Sequence, residues 1–199
     1  MTALRIPPGR AGRLWLRERL ALAGDALSLL ERKQAVLAHE LTRLRSRQQE
    51  TGRAWTAATA TARTWRLRAA MLGGERALDL AAPAAPAELT VHYATLAGVR
   101  YPTDIDCPVP QGSSITMSSA AVHARAAHAT ALSAAAAHAA ASAAVDAVQS
   151  ELTATRIRAQ ALRHRRIPDL RSALATLEFT LAERERAELP RSHTHSTYG

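Results

Sequence analysis

Aromatic side chains are scarce: three Trp, three Tyr and one Phe among 199 residues. A thick globular core is hard to fill without them. Although 47% of the chain counts as hydrophobic, alanine dominates that class and buries little area. This composition disfavours all-β and α/β enzyme architectures. A single cysteine, Cys107, excludes a disulfide framework within the chain and fits a reducing compartment. Lysine is almost missing, Lys33 being the one Lys beside 25 Arg. Neither GxGxxG nor GxxxxGK[ST] occurs, so no nucleotide is expected on this chain. The opening MTALRIPPGRAGRLW has no apolar run leading to a cleavage signal. The longest charge-free stretch, Ala126–Val145, is mostly Ala and lacks the Leu, Ile and Phe that drive membrane insertion. These absences predict a soluble, cytoplasmic protein without direct membrane insertion.

What is present is positive charge and helix periodicity. The formal net charge is +9. Residues 1–80 carry 15 basic and 7 acidic side chains, residues 81–155 carry 2 and 5, and residues 156–199 carry 9 and 5. The ends are basic and the middle is mildly acidic, which suits anionic partners. Between Arg13 and Leu80 no proline occurs. Positions 16, 20, 23, 27, 30, 34, 37, 41 and 44 read Leu, Leu, Ala, Leu, Leu, Gln, Leu, Leu, Leu. The same register continues through Gln48, Thr51, Trp55, Ala58, Ala62, Trp65, Ala69 and Leu72. Alternating spacings of four and three are the coiled-coil signature.

The helix is expected to end near Gly73-Gly74, or before Pro83 and Pro86. Leu89, Val91 and Tyr93 then alternate with polar residues, and Val99 and Tyr101 follow Gly98, which predicts a short β-hairpin. A second helix is expected from the serines at 113–119. In it Val145, Val148, Leu152, Thr155, Ala159 and Leu162 hold one heptad register. Ile167, Leu170, Leu174, Leu177 and Leu181 hold another, displaced by one residue at Pro168. An extra residue held as a local bulge accounts for both the jump and the proline. The helix is expected to stop before Pro190, leaving a disordered tail.

The fold class is therefore all-α dominated, a long antiparallel two-helix coiled coil with a short β-hairpin insert. The expected segments are an irregular lead-in at 1–12, a first helix at 13–80, the insert at 81–112, a second helix at 113–189 and a tail at 190–199. Leu then faces Leu and Ala faces Ala only if the helices run antiparallel.

Catalytic and metal patterns are weak. His123, His128 and His138 do not have the i, i+4 spacing of helical zinc ligands and read as polar decoration of an Ala helix. Asp104 and Asp106 read as a turn rather than a divalent-metal site. The arginines at 43, 45 and 47 and at 156, 158, 163, 165 and 166 read either as a solvated coiled-coil surface or as a face for acidic proteins. Nucleic-acid binding wants stacking aromatics, and here the tryptophans sit on the seam. A basic scaffold binding nucleic acid or acidic partners stays as the alternative. A membrane-surface helix fits the narrow apolar stripe less well.

Three stretches together resemble the D subunit of V-type and A-type rotary ATPases. The first is Leu4-Arg5-Ile6-Pro7, then Leu14, Leu16, Leu20 and Leu29-Leu30-Glu31-Arg32-Lys33-Gln34-Ala35-Val36-Leu37. The second is Ala97-Gly98-Val99-Arg100-Tyr101-Pro102. The third is Thr155–Leu162, Arg166-Ile167-Pro168-Asp169-Leu170 and Leu181-Ala182-Glu183-Arg184-Glu185-Arg186. Pro8, Ala26, Gln160 and Arg163 depart from the family pattern. The resemblance implies a central-stalk rotor shaft without catalytic residues or cofactors. Its implied partners are the catalytic and regulatory nucleotide-binding subunits of a hexamer, the small F subunit of the central stalk and the funnel-shaped subunit on the membrane ring; nucleic acid is not among them. The implied interface candidates are Lys33, Gly98, Val99, Pro102, Arg156, Arg158, Arg163, Arg165, Arg166, Ile167, Pro168, Glu183 and Arg184. Pro168 and the arginines around 163–166 are expected to shape the part of the shaft inside the hexamer. The chain would be peripheral to the membrane through its complex.

Overall fold

The computed structural model describes residues 5–82, 85–110 and 118–193. Helix α1 (Gly9–Ala81) is followed by β1 (Thr90–Leu96), β2 (Val99–Asp106), α2 (Ser119–Ala161), a π-helical turn (Leu162–Arg166) and α3 (Ile167–His193). Two long helical arms flank a two-stranded antiparallel hairpin in the chain, so the fold is all-α dominated. The chain forms two compact units, Met1–Ala35 with Thr153–Gly199, and Val36–Leu152.

The heptad reading of α1 locates its buried stripe. Every position of that register from Leu16 to Ala69 is buried or half-buried except Trp55, and Leu72 beyond is exposed. Helix α1 begins at Gly9, inside the stretch expected to be irregular. Gly9 takes a left-handed φ of 72°, and Gly12 lets the Pro7 carbonyl lie against the first turn, where a Cβ would sit 2.0 Å from that oxygen. At the other end Gly74 (φ 74°, ψ 170°) breaks the helix before its last turns, a conformation glycine adopts without strain.

In the first unit, Leu16, Ala23, Ile167 and Leu170 form the buried core, flanked by Ile6, Leu20, Leu27, Leu174 and Leu177. Ion pairs across α1 and the later arm run antiparallel: Arg10 with Glu185, Arg17 with Glu178 at 2.7 Å, and Glu31 with Arg163. Gln34, the one polar residue among the first nine seam positions, donates from Nε2 to the Thr155 carbonyl at 3.4 Å. The register jump has the expected cause. The Ile167 N–H donates to the carbonyl of Leu162, five residues back. That wide turn holds the surplus residue, so Ile167 and Leu170 return to the buried face beyond it. Pro168, which lacks an N–H, follows directly. Helix α3 continues past Pro190 to His193, further than expected. A proline this close to a helix end removes one backbone bond without ending the run.

In the second unit, Leu37, Leu41 and Leu44 meet Ala144, Val145, Val148 and Leu152, with Val99 and Tyr101 of the hairpin in the same cluster. Nearer the helix break at Gly74, the core thins to Ala69, Ala120, Ala121 and Ala124. The Ala-rich part of α2 reaches a mean hydropathy of 1.3 through alanine, and its seam face packs against α1. Trp55 is exposed at the margin of the seam, stacked on His138 (5.4 Å between ring centroids). Trp65 stacks on His123 at 4.5 Å. Both histidines are ring partners of tryptophans, His123 on the surface and His138 half-buried.

The hairpin pairs Thr90 with Asp106 through Leu96 with Val99, with a shift between His92 and Tyr93 that leaves Thr103 unpaired. This bulge sits beside Pro102, which has no N–H to offer the ladder. It also changes which face is inward. Leu89 and Tyr93, from the apolar set of the alternation, are exposed, while Ala94 and Leu96 pack against the core. Asp104 and Asp106 lie in β2, not in a turn. Residues 111–117, which include Ser113 and Ser114, and the residues beyond 193 lie outside the described residues, as do 1–4 and 83–84.

Candidate functional site

The residues singled out from sequence fall in three places. Gly98, Val99 and Pro102 belong to the hairpin. Val99 is buried in the helix core, Pro102 is half-buried beside the bulge, and Gly98 forms the exposed turn with φ 81°. Ala97 precedes it with φ 50°, a left-handed position that costs a side chain roughly 1–2 kcal/mol.

A buried polar contact fixes the hairpin to α1. The Tyr101 hydroxyl donates to Glu40 Oε1 at 2.8 Å, and Arg43 donates to the same carboxylate from Nε (3.0 Å) and Nη2 (2.5 Å). The two-pronged Arg43 contact holds the Glu40 carboxyl below its ordinary range, outweighing the opposing effect of burial. Burial first, and then the Glu40 carboxylate, push the Tyr101 phenol up. Arg47 adds a hydrogen bond to the Thr103 carbonyl and an ion pair to Asp104 at 3.5 Å. Sequence reading missed this contact, although a signal existed. Glu40, Arg43 and Arg47 lie at i, i+3 and i+7, along one side of the Leu37–Leu41–Leu44 stripe.

The second place is the π-helical turn. Arg163, His164, Arg165 and Arg166 are all exposed around it, and Arg156 and Arg158 are exposed one to two turns earlier. Ile167 is buried and Pro168 is exposed, so the two neighbours split between core and surface. Arg163 is tied to Glu31. Wide turns project side chains at angles an α-helix cannot reach. The turn therefore fans basic groups outward, with the seam intact beneath. Elsewhere, Lys33 lies half-buried on α1, and Glu183 pairs with Arg186 at 2.8 Å while Arg184 is exposed.

The third feature is apolar and was not foreseen. Leu14, Leu22 and Leu29 of α1 are about 60% exposed, as is Ile157, and Phe179 on α3 is 68% exposed. Leu22 and Leu29 are seven residues apart and off the seam. A heptad spacing outside the seam is readable in sequence, but a single-stripe register passes over it.

The family model for the ATP synthase D subunit matches residues 14–194. No curated protein matches the chain.

Proposed function

Because the chain belongs to the ATP synthase D-subunit family, a component of a rotary ATPase assembly, we propose that it is the turning shaft of that assembly. It passes torque between the ring of nucleotide-binding subunits and the ion-translocating ring in the membrane, and carries out no chemistry of its own. The family match over both long helical arms and the hairpin carries this reading. Antiparallel helix packing in each unit supports it, since paired helices with a shared seam resist bending better than one alone. The arm containing the π-helical turn faces the nucleotide-binding hexamer. Its exposed arginines meet acidic surfaces while Leu14, Leu22, Leu29 and Phe179 supply apolar contact. Exposed charges attract without a deep fixed pocket, which suits a part that must move past its partners. Each orientation of the asymmetric surface favours a different state in each surrounding subunit, a population shift by differential contact. The docked hairpin offers its outer face to the small F subunit, and the funnel-shaped subunit seats the chain on the membrane ring. The complex keeps the chain at the cytoplasmic side of the membrane.

The test is native isolation of the complex through a tag on this chain, with subunits identified by mass spectrometry. Recovery of both nucleotide-binding subunits in fixed ratio with the chain, together with ATP hydrolysis, supports the reading. Recovery of nucleic acid, or of the chain alone, refutes it in favour of a basic scaffold.

A further inference from the structure

The second unit contains a cavity of about 290 Å³ that the shaft role does not use. Its formation follows from sequence. The break at Gly74 redirects the last turns of α1, so Leu78 and Ala82 become one wall. Ala121 and Ala124 of α2 form the floor. Their methyl groups belong to the buried alanine cluster with Ala69, but are too small to fill the space in front of them. Leu132 bounds it further along α2. The hollow is open to solvent, with Leu132 41% exposed, so an apolar occupant gains by removing its apolar wall from water. The lining is not apolar throughout. Arg66, Arg125 and His128 also border the cavity. Arg66 is paired only loosely with Glu75, at 3.9 Å and with both side chains mostly exposed. A guanidinium has five donors, so this contact leaves most of them available to an anion.

An apolar hollow with cationic groups at its border fits an amphiphile with one anionic head. A methylene group is close in size to a water molecule, which occupies ~30 Å³ of liquid, so the cavity accepts roughly ten heavy atoms. We propose that this cavity binds the anion of a medium-chain carboxylic acid, its chain against Leu78, Ala124 and Leu132 and its carboxylate on Arg66.

The experiment is calorimetric titration of decanoate into the full-length chain below the amphiphile's micelle threshold. One saturable site is expected. Each methylene removed from the acid weakens binding about fourfold. Decanol, with the same chain and no charge, binds at least tenfold more weakly. Ala129 also lines the cavity; filling it with Ala129→Leu abolishes the site, and Arg66→Gln weakens it at least fivefold. Absence of saturable binding, equal affinity for decanol, or undiminished binding by folded Ala129→Leu each overturns the proposal. The decanol comparison uses the natural chain, so it does not depend on how the variants fold.

Discussion

Deleting Arg165 tests whether the wide turn is a counted feature of the sequence. Leu162–Arg166 holds one residue more than the heptads on either side require, and the Ile167 N–H reaches back five residues to Leu162. Removing one exposed residue lets the turn close to α-helical geometry while Thr155, Ala159, Leu162, Ile167 and Leu170 stay on one face. The remaining difficulty is Pro168, which then meets an ordinary α-helical turn and costs roughly 3 kcal/mol. Adding Pro168→Ala should remove that cost and bring the chain within about 1 kcal/mol of its natural stability. Without a wide turn, the deletion would swing Ile167 and Leu170 about 100° around the helix. Both are more than nine-tenths buried. Losing two such core contacts costs more than about 4 kcal/mol, and the proline change would not restore it. Urea unfolding followed by far-UV circular dichroism, with hydrogen exchange across residues 155–175, separates the cases. If the doubly altered chain is less stable by more than about 4 kcal/mol, the register argument fails.

Replacing Ala97 by Asn places a residue suited to left-handed φ beside Gly98 and should stabilise the hairpin by up to about 1 kcal/mol; a loss in urea midpoint would contradict the turn geometry. Tyr101→Phe leaves Glu40 short of one charge-assisted hydrogen bond and should cost about 1.5–3 kcal/mol, measured by the same unfolding curves. The lowered Glu40 value gives a sign for acid: its stabilisation is present above the ordinary carboxylate range near ~4.3 and disappears as pH falls through the lower folded value. The raised Tyr101 value acts at the other end, with its contribution present below the ordinary phenol range near ~10 and lost as pH rises through the folded value. Stability profiles of Glu40→Gln and Tyr101→Phe should be flatter than the natural profile on the acid and alkaline sides respectively; parallel curves would show that these groups are not the cause. Replacing Arg163, Arg165 and Arg166 together by Gln should lower the ions moved per ATP hydrolysed without changing helicity. Unaltered coupling would remove those residues from the torque path.

The helices were legible because burial of a two-helix seam imposes a repeat that survives in a single sequence. The same repeat exposed the wide turn, since a one-residue displacement at Pro168 has few physical causes. The hairpin was legible from its alternation and Gly98, but its inward face was not. A bulge beside Pro102 shifts the alternation by one, and the inward residues are those that join the cluster of Leu41 and Leu44, residues distant in sequence. The Tyr101–Glu40–Arg43 contact joins residues about sixty positions apart, beyond any local pattern. The ring pairs of Trp55 and Trp65 with His138 and His123 depend on how closely an alanine seam lets two helices approach. The exposed leucines escaped notice because a search for one apolar stripe treats the rest of the helix as solvated. Of the interface candidates named from resemblance, Val99 and Ile167 are buried in the core, whereas the arginines around the turn are exposed, so the exposed ones are better placed to meet a partner.

The central claim is that this chain turns within its complex. The direct measurement is single-molecule observation of the ATP-hydrolysing complex, held by its nucleotide-binding subunits, with a bead attached through this chain's exposed Ala97–Gly98 turn. The account predicts sustained rotation in one direction that stops when ATP is removed. A bead that stays fixed, or only jitters without direction, while the same complexes hydrolyse ATP would contradict it.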